Sequence, residues 1–212
     1  VSDGFVAQAE GFAAVGDRAG ALQLVDMALR DDAVAAATLT RTARLLGTLR
    51  DRRRRPALAT RALAALPDLD AADALILIGQ PAPVVAALGP VLPDDAGLGH
   101  AMVLAQALER CDRWREALAV WRAYLAHHPD DLDALVAAGW VAVVTKSDLA
   151  DAVEWFTRAM RVKPDAWGVL AQLIQVRQFL GEHQAARALI ATLPPDVRVR
   201  VMRYSRLPPI AA

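Results

Sequence analysis

Apolar positions recur at three- and four-residue spacing along most of the chain, and glycine, proline and aspartate interrupt that rhythm at short intervals. The pattern predicts short amphipathic helices joined by tight turns. Phe5, Ala9 and Phe12 give one apolar face, and Ala21, Leu22, Val25, Ala28 and Leu29 give the next. Gly16-Asp17 divides them, because glycine after a helix adopts the left-handed conformation cheaply. A helix over 35–49 carries Leu39, Ala43 and Leu46 on one side. Pro56 sits in the first turn of the following helix, where a missing N–H costs nothing, and Pro67 ends it. Between Pro67 and Leu98, Gly79, Pro81, Pro83, Gly89, Pro90 and Pro93 leave room only for short helices near 71–78 and 84–88.

From Leu98 the pattern is regular, with helices expected near 99–111, 114–126, 131–145 and 148–161. Asp130 or Asp131, and Ser147 or Asp148, supply N-cap chemistry. Another pair fills 165–193 and divides at Gly181-Glu182. The string Val197-Arg198-Val199-Arg200-Val201 alternates like a strand, but no other segment could pair with it, so a final helix over 197–204 is the better reading. That helix would cap the array, with Val197, Val201 and Tyr204 inward and Arg198, Arg200, Arg203 and Arg206 outward.

One phrase occurs twice, 35 residues apart. Ala117, Trp121, Tyr124 and Pro129 are answered by Ala152, Phe156, Ala159 and Pro164, and a weaker copy begins at Ala186, 34 residues later. A recurrence of that period marks a helical-repeat array. Ala21 to Ala117 is 96 residues, too few for three 34-residue units, so the middle units must be shortened.

These residues, with Gly16-Asp17 before Ala21, Gly181-Glu182 before Ala186, and Gly139 at a small first-helix position, resemble the tetratricopeptide repeat family. Three positions depart from its pattern: Ala105 stands where the family has Gly, and Tyr124 and Arg55 stand where it has Ala. The resemblance implies an all-α fold, a right-handed α-solenoid of stacked antiparallel helix pairs. It would form one domain, with a first repeat over 1–35, divergent shortened pairs over 36–97, regular repeats over 98–195, and a capping helix and tail over 196–212.

Composition narrows the chemistry. The 212 residues are 55% hydrophobic, and Lys+Arg and Asp+Glu both number 24, so no net field recruits nucleic acid or anionic lipid. No apolar run is long enough to span a membrane, and Val1-Ser2-Asp3-Gly4 lacks the basic start of a signal peptide, which points to a cytoplasmic bacterial protein. The chain opens on Val1 rather than Met, which leaves a preceding segment or domain open. Cys111 alone excludes an internal disulfide.

No residue set reaches a catalytic, cofactor or metal motif. His127-His128 lacks ligand partners at metal spacing. Arg52 to Arg55 reads as a solvated turn, diluted by Asp51 and without the interleaved aromatics that single-strand binding wants. There is no phosphate loop, nucleophile elbow or zinc-protease helix.

The family's members are overwhelmingly non-catalytic and hold a peptide or a partner's helix in the groove lined by each unit's first helix. Projected onto this chain, the groove residues are Met102, Gln106, Glu109 and Arg110, then Val136, Trp140 and Val143, then Ala171, Gln175 and Gln178. Their polar character with apolar spots suits an amphipathic or extended segment better than a charged terminus. The resulting expectation is a non-enzymatic interaction scaffold with a protein partner, no cofactor and no nucleic acid. The alternatives are a non-catalytic helical arm of a larger enzyme, such as a glycosyltransferase or cell-envelope enzyme, and a secretion chaperone.

Overall fold

The computed structural model describes residues 2–31, 33–146 and 148–205, with the backbone alone for 200 and 202–205. Thirteen α-helices and no strand occur among them. They are α1 Ser2–Ala14, α2 Arg18–Arg30, α3 Ala36–Thr48, α4 Arg55–Ala65, α5 Leu69–Leu77, α6 Ala82–Leu88, α7 Leu98–Arg110, α8 Trp114–His127, α9 Leu132–Thr145, α10 Leu149–Val162, α11 Trp167–Phe179, α12 His183–Ala191 and α13 Pro195–Ser205. The alternating segment before Tyr204 is therefore helical.

Five helix ends share one turn. A residue in the left-handed region (Gly16, Arg50, Gly79, Asp112 or Gly181) follows the first helix. The amide after it reaches back five residues to a carbonyl: Asp17 to Phe12, Asp51 to Leu46, Gln80 to Leu75, Arg113 to Leu108 and Glu182 to Arg177, all at 2.8–2.9 Å. This is the Schellman closure, which satisfies carbonyls left open at the helix end. Only three of the five positions are glycine, so Arg50 at φ 50° and Asp112 at φ 58° hold a backbone that L-residues disfavour.

The turns also locate the shortening. Gly16 to Arg50 is 34 residues and Gly79 to Asp112 is 33, whereas Arg50 to Gly79 is only 29. Most of the deficit lies in α5, which has nine residues where α3 has 13; α4 has 11 where α2 has 13.

The chain forms two compact units, Val1–Glu116 and Ala117–Ala212. In the first, α1 packs on α2, α3 on α4 and α5, and α5 and α6 on α7. Val6, Ala9, Ala21, Val25, Leu39, Leu46, Leu58 and Leu75 form its core. The α1 face differs from the sequence expectation: Val6 and Ala9 are buried, Phe5 is half-buried, and Phe12 is exposed. The Phe12 ring instead lies across Gly20 at the start of α2.

In the second unit α9 packs on α10, α10 on α11, and α11 on α12 and α13. Phe156, Ala152, Ala159, Leu135, Ile174 and Ile190 are fully buried. Asp131 caps α9 by accepting from Ala134 N at 3.0 Å. Asp148 precedes α10 but makes no cap hydrogen bond; its carboxylate faces Arg122 of α8 at 2.9 Å. The left-handed backbone at Asp148 turns the side chain away from the amides it was expected to cap. Val197 and Val201 of α13 are buried, and the half-buried Arg198, expected to face outward, donates to the carbonyls of Ala191 and Leu193. The side chains of Arg200, Arg203 and Tyr204, and all of Arg206, lie outside the described residues.

Candidate functional site

The hairpin turn gives every unit a common register. Six residues before its left-handed residue stand Glu10, Arg44, Asp73, Gln106 and Gln175, and six before the left-handed Lys146 stands Trp140. This one position on the first helices is charged in α1, α3 and α5, neutral and polar in α7 and α11, and aromatic in α9.

In the second unit, burying Leu135, Ala138, Gly139 and Ala142 against α10 turns the opposite face of α9 outward. Trp140 is 44% exposed, Val144 43%, and Val136 and Val143 are half-buried. On α11, at the matching positions, Ala171 is buried, Gln175 and Gln178 are half-buried, and Phe179 is 62% exposed. The Gln178 Nε2 is enclosed with no hydrogen-bond partner among the described residues.

In the first unit, α7 exposes Met102, Gln106 and Arg110 beside a half-buried Glu109. Burial pushes the Glu109 carboxyl up to about 7, against the weaker opposing pull of Arg110. The sequence projection placed Glu109 on this face. Nothing in the residue type announces such burial.

The first-helix side of α1, α3 and α5 was also missed. Arg41 reaches Asp3 at 2.5 Å and Glu10 at 2.7 Å, and Arg44 reaches Asp73 at 3.4 Å. Glu10, Ala13, Arg41, Arg44, Leu45 and Thr48 line an open groove of about 390 Å³ there. The signal was available in the spacing from each turn, but Arg50 is not a glycine and does not declare that turn.

The arginine run is only partly solvated. Arg54 forms a two-pronged pair with Asp26, at 2.7 Å for both contacts, and bonds Asp51 at 3.1 Å. The Arg54 hydrogen bonds hold the Asp26 carboxyl below the usual range. Asp51, 5% exposed, also accepts from Arg54 N at 3.0 Å, so it organises the turn rather than diluting it. Arg52 and Arg53 are exposed. His128 stacks on Tyr124 with ring centroids 4.5 Å apart. Among the described residues no group of His, Cys, Asp and Glu could hold a metal ion, and no helix is long and apolar enough to cross a membrane.

Residues 100–141 match the tetratricopeptide repeat family model. No curated protein matches the sequence. Among solved structures, MamA 41-end from Desulfovibrio magneticus RS-1 aligns over 97% of this chain and 95% of its own, at 16% identity and a TM-score of 0.52. The MamA RS-1 ArsTM double mutant aligns over 95% and 94%, at 16% identity and a TM-score of 0.55. At these identities the likeness is one of fold. The chain is a tetratricopeptide-repeat-like helical repeat protein with the fold of an α-solenoid.

Proposed function

We propose that this tetratricopeptide-repeat-like chain is a non-catalytic interaction scaffold that holds a peptide or helix of a partner protein against its first-helix faces. The observation that carries the proposal is Trp140, a large aromatic left 44% exposed in the register position that the other units fill with polar or charged residues. Exposed aromatics set among half-buried apolar neighbours are the usual anchors of protein interfaces. In the second unit the contact set is Val136, Trp140 and Val143 with Gln175 and Gln178, extended by Val144 and Phe179. In the first unit it is Met102, Gln106, Glu109 and Arg110. The set in the second unit suits an amphipathic segment whose apolar side meets Trp140 and whose polar groups meet Gln175 and Gln178.

The experiment is affinity capture of partners by the intact chain, compared with Trp140→Ala and with Gln106→Ala/Trp140→Ala, each checked for folding by circular dichroism. A protein captured by the wild type and lost from both folded variants supports the reading. Undiminished capture by the double variant rejects this placement.

A further inference from the structure

We infer that the protein carries a second docking surface, away from the first-helix faces, for an acidic segment of a protein partner: an open groove of about 550 Å³ where α2 meets the turn before α4. Its lining is Arg18, Ala19, Leu22, Asp51, Arg53 and Arg54. On α2, Arg18, Leu22 and Asp26 are four residues apart and form one ridge. Arg54 lies along that ridge, bound to Asp26 and Asp51, and consumes both carboxylates. Asp17, the remaining acid nearby, accepts from Gly20 N at 2.9 Å and keeps its one negative charge against the four arginines that follow.

This leaves a local excess of positive charge in a chain whose net charge is zero. Arg18 and Arg53 line the groove, and Arg50 and Arg52 are chain neighbours of its lining residues Asp51 and Arg53. All four are exposed, and no hydrogen bond or ion pair engages their guanidinium groups among the described residues. Arg54, locked by its two acids, fixes the spacing of the turn that presents Arg53. Between the cations, Ala19 and the half-buried Leu22 supply an apolar floor. Cations on both sides of an apolar strip complement a segment in which carboxylates flank an aliphatic residue. A nucleic-acid strand fits less well. The lining holds no aromatic side chain on which a base could stack, and the free charges are few for tracking a phosphate backbone.

The test uses a fluorescein-labelled peptide of alternating glutamate and leucine, with binding to the full chain followed by anisotropy at low salt. The wild type is expected to bind, with affinity falling as salt rises. Arg18→Glu/Arg53→Glu should weaken binding at least about tenfold. Arg187→Glu, an exposed charge reversal on α12, should leave it unchanged. Arg18→Gln/Arg53→Gln, a milder pair, should lose an intermediate amount and guards against misfolding of the reversal, which thermal melting monitors. Failure of the wild type to bind, or equal binding by both double variants, overturns the inference. Displacement of the peptide by a thymidine oligonucleotide at matched charge overturns it in favour of nucleic acid. None of these outcomes bears on Trp140, so the two surfaces stand or fall separately.

Discussion

A Cβ placed on Gly139 would lie 2.5 Å from Cε1 of Phe156. The missing side chain on α9 is thus what lets the fully buried Phe156 ring of α10 lie against the α9 backbone. Two helices of one repeat can approach closely only where one offers a small residue to a large one.

Gly139→Ala should therefore destabilise the protein by about 1–3 kcal/mol, because overpacking outweighs the ~1 kcal/mol that alanine gains in helix propensity. Gly139→Ala/Phe156→Leu should cost less than the sum of the single changes. Urea unfolding of the four proteins gives the coupling directly. Additive losses would show that the ring is not the obstacle.

Tyr124 ties α8 to the start of α9. Its hydroxyl donates to Asp131 Oδ2 at 3.0 Å, while Oδ1 of the same carboxylate caps Ala134 N. Burial first, and the Asp131 contact second, push the Tyr124 phenol up. Tyr124→Phe should cost about 1 kcal/mol, since one hydrogen bond is lost and the cap stays. Asp131→Ala should cost about 2 kcal/mol, because it removes the cap and strands the hydroxyl. Thermal denaturation ranks the two, and the reverse order would contradict this arrangement.

Much of this fold was legible in the chain. Apolar periodicity sets the helices, and Gly16, Gly181, Pro56 and Pro67 punctuate them in the expected places. The short spacing in the middle falls on one stretch, the 29 residues from Arg50 to Gly79, whereas Gly79 to Asp112 is 33. What escaped the sequence depends on tertiary context. Arg50 and Asp112 occupy glycine-type turns without being glycine, and Phe12 leaves the core to cover Gly20. Asp148 has the chemistry of a cap but a backbone that aims it at Arg122, and Asp51 is buried by the arginine it organises. Of the residues projected onto a groove, Met102, Gln106, Arg110 and Trp140 are exposed, Glu109, Val136, Val143, Gln175 and Gln178 are half-buried, and Ala171 is buried.

Arg55 shows the cost of a departure from the repeat. The equivalent positions Ala21, Ala117 and Ala186 are fully buried, and the enclosed Arg55 Nε has no hydrogen-bond partner among the described residues. Arg55→Ala should raise stability by about 1 kcal/mol, by removing an unsatisfied buried donor. Calorimetric melting of the variant should show a higher Tm; a lower one would mean that the arginine stem packs productively.

Glu109 makes stability depend on pH. Its carboxyl rises from 4.5 in the unfolded chain to about 7 in the fold, so between those values the folded state binds the proton more tightly. Stability should fall as pH rises from 4.5 through 7, and the full penalty should apply above that. Glu109→Gln should match the wild type near pH 4.5 and exceed it by about 1–2 kcal/mol at pH 8, allowing for solvent screening of a half-buried group. Chemical denaturation at both pH values checks the difference. An equal gain at both would assign the effect to packing instead of charge.

The central claim is that the exposed face of α9 anchors a protein partner. The most direct measurement is quantitative affinity capture with wild type and folded Trp140→Ala, with Arg187→Ala as a surface control. The account predicts one partner retained by wild type and control and reduced at least about tenfold by loss of the tryptophan. Equal recovery with and without Trp140, or recovery of no partner by the wild type, would contradict it.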